Sequence, residues 1–101
     1  MKCKYFTVDN GLDYPMPDEE EDKKMRKLME QLADKYELTS LVLMPEYIDD
    51  NVYVFTFQIP EKYNSKEYLE LWEKIAEEKD DYAKKLGKEE FMDKYTIDFT
   101  R

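Results

Sequence analysis

Residues 51–59, NVYVFTFQI, form the most strand-like run of the sequence, and this run is apolar on both of its faces. Alternate side chains of a strand point to opposite faces of the sheet. One face would carry Tyr53, Phe55, Phe57 and Ile59, and the other Val52, Val54 and Thr56. Such a strand belongs in the middle of a sheet with a cover on each side. The remaining chain, or a second chain, is expected to supply those covers.

Further regular elements are predicted on both sides of this strand. Branched or alternating apolar residues predict strands at residues 2–8, 38–44 and 95–100. Apolar residues at three- and four-residue spacing predict helices from Asp18 to about Tyr36 and from Asn64 or Ser65 to about Leu86, with Gly87 as the C′ residue after the second helix. Residues 89–93 could add one further helical turn.

Both predicted helices begin with a capping signature. Asp18 is followed three residues later by Glu21, and Asn64 by Glu67. In a capping box the first side chain accepts from the backbone of the third helical residue, whose own side chain reaches back. The acidic run from Asp18 also lies at the positive end of the helix dipole, so it has a structural explanation.

The order strand, helix, strand, strand, helix, strand predicts the α+β class and, within it, a ferredoxin-like βαββαβ sandwich. That fold has a four-stranded antiparallel sheet with both helices on one face, and its first and third strands are central. The other sheet face is open, and we assign Tyr53, Phe55 and Phe57 to it. At 101 residues, the whole of 1–101 is expected to be one domain.

Charge separates the classes of partner that this chain would attract. Acidic residues number 25 against 16 basic ones, which gives a formal net charge of −9. A field of this sign repels nucleic acids and anionic membranes and attracts basic proteins. Direct nucleic-acid binding and membrane binding are therefore not expected, although negative charge also simply keeps proteins soluble.

Catalytic and redox motifs are sparse in this sequence. Histidine is absent, which removes the commonest general base and the usual partner of a nucleophilic serine or cysteine. Cys3 is the single cysteine, so an internal disulfide is excluded and a reducing, cytoplasmic location is expected. No signal peptide or membrane-spanning run is recognised in the sequence. We therefore expect a non-enzymatic protein without a cofactor, and a structural role for Cys3.

Two loops carry carboxylates that could be mistaken for metal ligands. They are Asp9 with Asp13 after the first strand, and Asp49 with Asp50 before the third. Neither loop has the spacing of a calcium-binding loop, and both have ordinary turn composition. We expect no metal site, and we assign Asp49 and Asp50 instead to an acidic partner-binding surface.

The predicted second helix supplies the rest of that acidic surface. Its outward stripe carries Glu70, Glu73, Glu77, Asp80 and Asp81. Carboxylates at helical spacing could imitate a phosphate backbone and occupy the nucleic-acid channel of another protein. Alternatively the stripe is an ordinary solvated helix face, because Lys66, Lys74 and Lys79 interleave with the acids and Glu70 can pair with Lys74.

The long connection of residues 9–17 gives a second candidate surface. Leu12, Tyr14 and Met16 alternate along it. These three side chains either cover the sheet or bind a partner. Together with Tyr53, Phe55 and Phe57 they form the predicted apolar binding surface.

Two functions remain open from the sequence. The first is a small acidic regulator or inhibitor that docks on a basic, nucleic-acid-binding protein, in the manner of antitoxins and phage anti-defence proteins. The second is a homodimer whose open sheet faces pair around a small ligand, lined by Tyr5, Tyr53, Phe55 and Phe57.

Overall fold

The computed structural model of the protein describes residues 3–8, 16–46 and 51–101, which form a four-stranded sheet and three helices. In chain order the elements are β1 (Lys4–Thr7), α1 (Glu20–Lys35), β2 (Ser40–Pro45), β3 (Tyr53–Gln58), α2 (Ser65–Lys85), α3 (Phe91–Lys94) and β4 (Tyr95–Thr100). The α+β class and the predicted order of strands and helices are confirmed. None of these helices is long and apolar enough to cross a membrane.

The strand order differs from the ferredoxin-like prediction. The strands lie in the sheet in the order of the chain, β1-β2-β3-β4. β1 pairs parallel with β2, β2 pairs antiparallel with β3, and β3 pairs parallel with β4. The sheet is therefore mixed rather than antiparallel. β3 is central as predicted, but β1 lies at an edge and β2 takes the other central position.

This order constrains the hand of the two crossover connections. The connection from β1 through α1 to β2 crosses the sheet in the same direction as the connection from β3 through α2 to β4. The strands β1 and β2, however, run opposite to β3 and β4. Both long helices pack on one face, since residues of α1 and α2 share a single core with the sheet. Two such connections must have opposite hands, so one is left-handed, which is rare among parallel connections.

The core lies between the two long helices and one face of the sheet. The sheet contributes the odd-numbered side chains of its central strands and of β4, and these are buried: Leu41, Leu43, Tyr53, Phe55, Phe57, Tyr95, Ile97 and Phe99. The helices contribute Met25, Met29, Leu32, Ala33, Leu71, Ile75 and Ala83. Even-numbered residues of the strands face away from the helices and are half-buried or exposed.

The helix ends follow local sequence signals. Asn64 caps α2, accepting from the Glu67 N–H at 2.9 Å, while Glu67 accepts from the Asn64 N–H at 3.1 Å. Gly87 follows α2 with φ of 71°, a left-handed conformation that glycine adopts without a steric cost. These signals were predicted. In α1 the N-cap is Glu19, one residue later than the predicted Asp18, and the Glu19 N–H donates to Asp22.

Three side chains of α2 cover the outer edge of β4. The Tyr68 hydroxyl donates to the Phe99 carbonyl at 3.2 Å, and the Trp72 Nε1–H donates to the Ile97 carbonyl at 3.1 Å. Buried Lys79 donates to the Tyr95 carbonyl. The outward carbonyls of this edge strand are thus satisfied by side chains, which protects the edge from pairing with another strand.

Candidate functional site

Four of the predicted acidic residues are exposed on the outer side of α2. They are Glu70, Glu73, Glu77 and Asp81. None of the ion pairs formed by the described residues involves them, and the expected pairing of Glu70 with Lys74 is not among those contacts. Their carboxylates therefore present negative charge to solvent along the helix.

Two large apolar side chains lie beside these carboxylates. Leu69 is 63% exposed and Trp72 is 40% exposed. Residues three or four apart on a helix are surface neighbours, so Leu69 lies next to Glu73 and to Trp72. We call Leu69, Trp72 and these four acids the α2 surface. Tryptophan is enriched at the centres of protein interfaces, and the rim of an interface is polar.

Asp80 does not belong to this surface, although the sequence pattern predicted it there. It is half-buried and forms an ion pair with Lys79 at 3.1 Å. Lys79 is only 5% exposed and also donates to the Met92 carbonyl at 2.9 Å. Asp80 therefore helps to compensate a buried ammonium group that anchors α2 to β4, which is a structural role.

The predicted open-face aromatics are on the opposite face of the sheet. Tyr53 is 4% exposed, and Phe55 and Phe57 have no exposed surface. They lie under the helices and pack against aromatic rings of β4. The ring centroids of Phe55 and Tyr95 are 5.2 Å apart, and those of Phe57 and Phe99 are 5.8 Å apart. Their assignment to an open binding face is wrong. The aromatic residues fill the core between the helices and the sheet. The alternation in the sequence could not show which face of β3 the helices would cover, because both faces are apolar.

The face away from the helices carries the smaller side chains instead. The central strands contribute Val42, Met44, Val54 and Thr56 to this face, and all four are half-buried. The edge strand β1 contributes Phe6, which is 46% exposed. Among the predicted loop residues, Met16 is half-buried and lines a cleft near α1. Leu12, Tyr14, Asp49 and Asp50 lie outside the described residues.

That cleft is a site which the sequence did not predict. It has a volume of about 530 Å³ and lies at the N-terminus of α1, where its lining includes Asp22, Asn51, Tyr53 and Lys94. Asp22 is 1% exposed. It accepts from the Tyr95 hydroxyl at 2.6 Å and from Lys94 Nζ at 2.9 Å. The available signal was the position of Asp22 on the same helical stripe as buried Met25 and Met29.

Electrostatics in the cleft fix the protonation states of its groups. Burial alone raises the pKa of Asp22, but hydrogen bonds from Tyr95 and Lys94 and the charge of Lys94 outweigh it, so this pKa lies below its ordinary value. Burial and the hydrogen bond to Asp22 raise the pKa of Tyr95. Burial and the Asp22 charge raise the pKa of Tyr53. At neutral pH the Asp22 carboxylate is therefore ionised and the two phenols are neutral, so Asp22, Lys94 and Tyr95 form a structural cluster.

Cys3 has the properties of a structural thiol. Burial and the charges of Asp34 and Glu30 raise its pKa from 9.0 to about 11. A thiol with a raised pKa holds little thiolate at neutral pH and is a poor nucleophile. Within the described residues, no group of three or more cysteines or carboxylates is arranged to hold a metal ion.

Comparison with known proteins found no matching family model, no similar curated protein and no similar solved structure.

Proposed function

We propose that this protein is a small, acidic, non-enzymatic regulator or inhibitor that docks through the α2 surface on a basic protein. The observation that supports it best is the combination of four unpaired, exposed carboxylates with exposed Leu69 and Trp72. The acids would attract and orient a basic partner. The apolar pair would supply the desolvated contact at the centre of the interface.

The partner class follows from the spacing and sign of the charge. The Cβ atoms of residues three and four apart on a helix lie roughly 5–6 Å from one another, so the acids of α2 form a row of closely spaced negative charges. A row of this kind imitates a phosphate backbone, so the proposed target is the nucleic-acid-binding site of a basic protein. Activities of the antitoxin or anti-defence type, in the cytoplasm, fit this proposal.

A homodimer with a ligand between open sheet faces has less support. The side chains proposed to line that ligand were Tyr53, Phe55 and Phe57 with Tyr5. The first three are buried under the helices, and Tyr5 is half-buried on that same face. A ligand between the open faces would contact Phe6, Val42 and Val54 instead.

The test is capture of a partner by the immobilised protein and two matched variants. One variant carries Glu70→Gln, Glu73→Gln and Glu77→Gln. The control carries Glu20→Gln, Glu21→Gln and Asp93→Asn, which remove the same charge from exposed or half-buried positions outside α2. Each is exposed to a nuclease-treated lysate of the cells in which the protein occurs, and bound proteins are identified by mass spectrometry.

The proposal expects one basic protein to be retained by the wild type and the control and lost by the α2 variant. Its retention should also fall in about 0.5 M salt, where screening shortens the Debye length to roughly 4 Å. A further variant, Leu69→Ala, removes an apolar side chain that is 63% exposed and should weaken retention at both salt concentrations. Equal retention by the wild type and the α2 variant, or no basic protein retained at all, would overturn the proposal.

A further inference from the structure

The two edges of the sheet differ in how they are protected. The outward carbonyls of β4 accept hydrogen bonds from Tyr68, Trp72 and Lys79. Neighbouring residues of a strand direct their backbone groups to opposite sides, and in β1 the N–H groups of Lys4 and Val8 point inward, to carbonyls of residues 39 and 43. Tyr5 and Thr7 therefore direct their N–H and C=O groups outward.

No described residue pairs with the outer edge of β1. The backbone hydrogen bonds of the described chain include none from the outward groups of Tyr5 or Thr7. Phe6, between them, is 46% exposed on the sheet face away from the helices. An edge strand with free backbone groups and an exposed aromatic side chain is a template for adding another strand.

We infer that β1 pairs antiparallel with β1 of a second copy of this chain, with the two Phe6 residues facing each other across a two-fold axis. This pairing joins the two four-stranded sheets into one continuous sheet. The surface is separate from the α2 surface at the far edge of the molecule. The dimer therefore neither requires nor excludes the proposed docking function.

The positions of the free groups select this register. When Phe6 lies opposite its own copy, Tyr5 lies opposite Thr7 of the partner, and these two residues exchange both of their backbone hydrogen bonds. The two-fold axis repeats this exchange on the other side, so all outward groups of Tyr5 and Thr7 are satisfied. Phe6 occupies a non-hydrogen-bonded pair, where side chains approach most closely. Lys4 of one copy lies opposite Val8 of the other copy, so the two Lys4 residues do not face each other.

Charge on the flank of α1 is complementary under the same two-fold axis. A groove between Tyr5 and α1 is lined by Lys23, Arg26 and Lys27 from the first half of the helix and by Glu30 from the second. Asp34, one turn later, accepts from the Cys3 N–H at 2.7 Å. The helix thus runs antiparallel to β1. On this side the basic residues of positions 23–27 follow the acidic first turn and precede Glu30 and Asp34.

In the dimer the two α1 helices also run antiparallel to each other. The basic segment 23–27 of each helix then approaches Glu30 and Asp34 of its partner. Lys27 forms no ion pair with described residues, while Lys23 and Arg26 contact Asp18 at 3.9 and 3.3 Å. The local balance of charge allows association here, although the chain as a whole carries a net charge of −9 and repels its own copy elsewhere.

The register is tested by cross-linking single-cysteine variants. Cys3→Ser is combined either with Phe6→Cys or with Thr7→Cys. Residues in a non-hydrogen-bonded antiparallel pair have Cα atoms about 4.5 Å apart, within the range of roughly 4.4–6.8 Å that a disulfide spans. We expect oxidation to convert the Phe6→Cys protein into a covalent dimer and to leave the Thr7→Cys protein largely monomeric, because Thr7 faces Tyr5. Equal cross-linking of both, or of neither, overturns the proposed register.

Sedimentation equilibrium of the unmodified protein tests the dimer itself. We expect a dimer that dissociates on dilution, and a dissociation constant that rises about tenfold or more for Phe6→Asp. Leu69→Asp makes the same change at an exposed apolar residue of α2, and it should leave the constant unchanged. Circular dichroism checks that both variants are folded. A strict monomer up to millimolar concentration, or an equal effect of the two substitutions, overturns the inference.

Discussion

Asp22 shows most clearly what one residue does in this fold. It lies on the apolar stripe of α1, and its buried carboxylate accepts from a tyrosine of β4, from Lys94 and from the backbone of Glu19. A buried charge is tolerated only when such partners compensate its lost hydration. The sequence predicted the helix dipole as the role of this residue. Its pairing with a residue 73 positions away depends on the sheet order, so it could not be predicted from local pattern.

Replacing Asp22 with asparagine should destabilise the protein by about 2–4 kcal/mol, because it leaves Lys94 without its counter-charge and gives the Tyr95 hydroxyl a poorer acceptor. Urea unfolding followed by circular dichroism measures this change. Tyr95→Phe removes one of the same hydrogen bonds and should cost about 1–2 kcal/mol. The double variant should lose less than the sum of the two, whereas strict additivity would show that the groups act independently.

Alkaline pH should also destabilise the protein, through Cys3 and Tyr5. Their pKa values are raised in the folded state, from 9.0 to about 11 for Cys3 and from 10.0 to about 12 for Tyr5, mainly by burial. The unfolded chain therefore releases these protons first, so the contribution of these two groups to stability is constant at neutral pH and is lost as the pH rises from about 9 toward 12. Urea midpoints across this range measure the effect. Cys3→Ser should flatten the first part of the decline, and an unchanged profile would contradict this cause.

At the scale of whole elements, local signals predicted most of what is observed. Strong alternation predicted β3 and β4, and Asn64 with Gly87 marked the two ends of α2. These signals act within a few residues, so they do not depend on how the elements pack. The signals could not predict that Tyr68, Trp72 and Lys79 would each bond to the edge of β4, because the covered edge depends on the strand order.

The contribution of this edge protection can be tested by removing the Tyr68 hydroxyl. Tyr68→Phe keeps the ring, whose centroid lies 5.2 Å from that of Phe99, and removes only the hydroxyl that donates to the Phe99 carbonyl. We expect a loss of about 0.5–1.5 kcal/mol in unfolding free energy. Tyr82→Phe is the matched control, since the Tyr82 hydroxyl makes no hydrogen bond with described residues. Equal losses in the two variants would show that the edge hydrogen bond contributes nothing.

The whole molecule differs from the prediction in how its two βαβ units are arranged. In a ferredoxin-like sheet the strands of the two units alternate, so both connections can be right-handed with their helices on one face. Here the units lie side by side, joined through β2 and β3, and one connection must be left-handed. The pattern of strands and helices is identical in the two arrangements. The sequence could therefore predict the elements but not their order in the sheet.

Net charge acts at this scale as well. With a formal charge of −9, self-repulsion should destabilise the folded state at low ionic strength. We expect the melting temperature to rise between about 0.01 and 0.15 M salt, as the Debye length falls from roughly 30 to 8 Å. The variant with Glu70→Gln, Glu73→Gln and Glu77→Gln should show a smaller rise. A melting temperature that falls with salt would mean that ion pairs outweigh repulsion.

The unequal edges of the sheet limit how far assembly can proceed. A strand can be added beside Tyr5 and Thr7, whereas the carbonyls beside α2 already have donors. A protein with two open edges can polymerise into a fibre, but one with a single open edge has no site left once that edge is used. Pairing through β1 would therefore stop at two chains. Such a protein could be concentrated in a cell, or fused to another domain, without starting the growth of a continuous sheet.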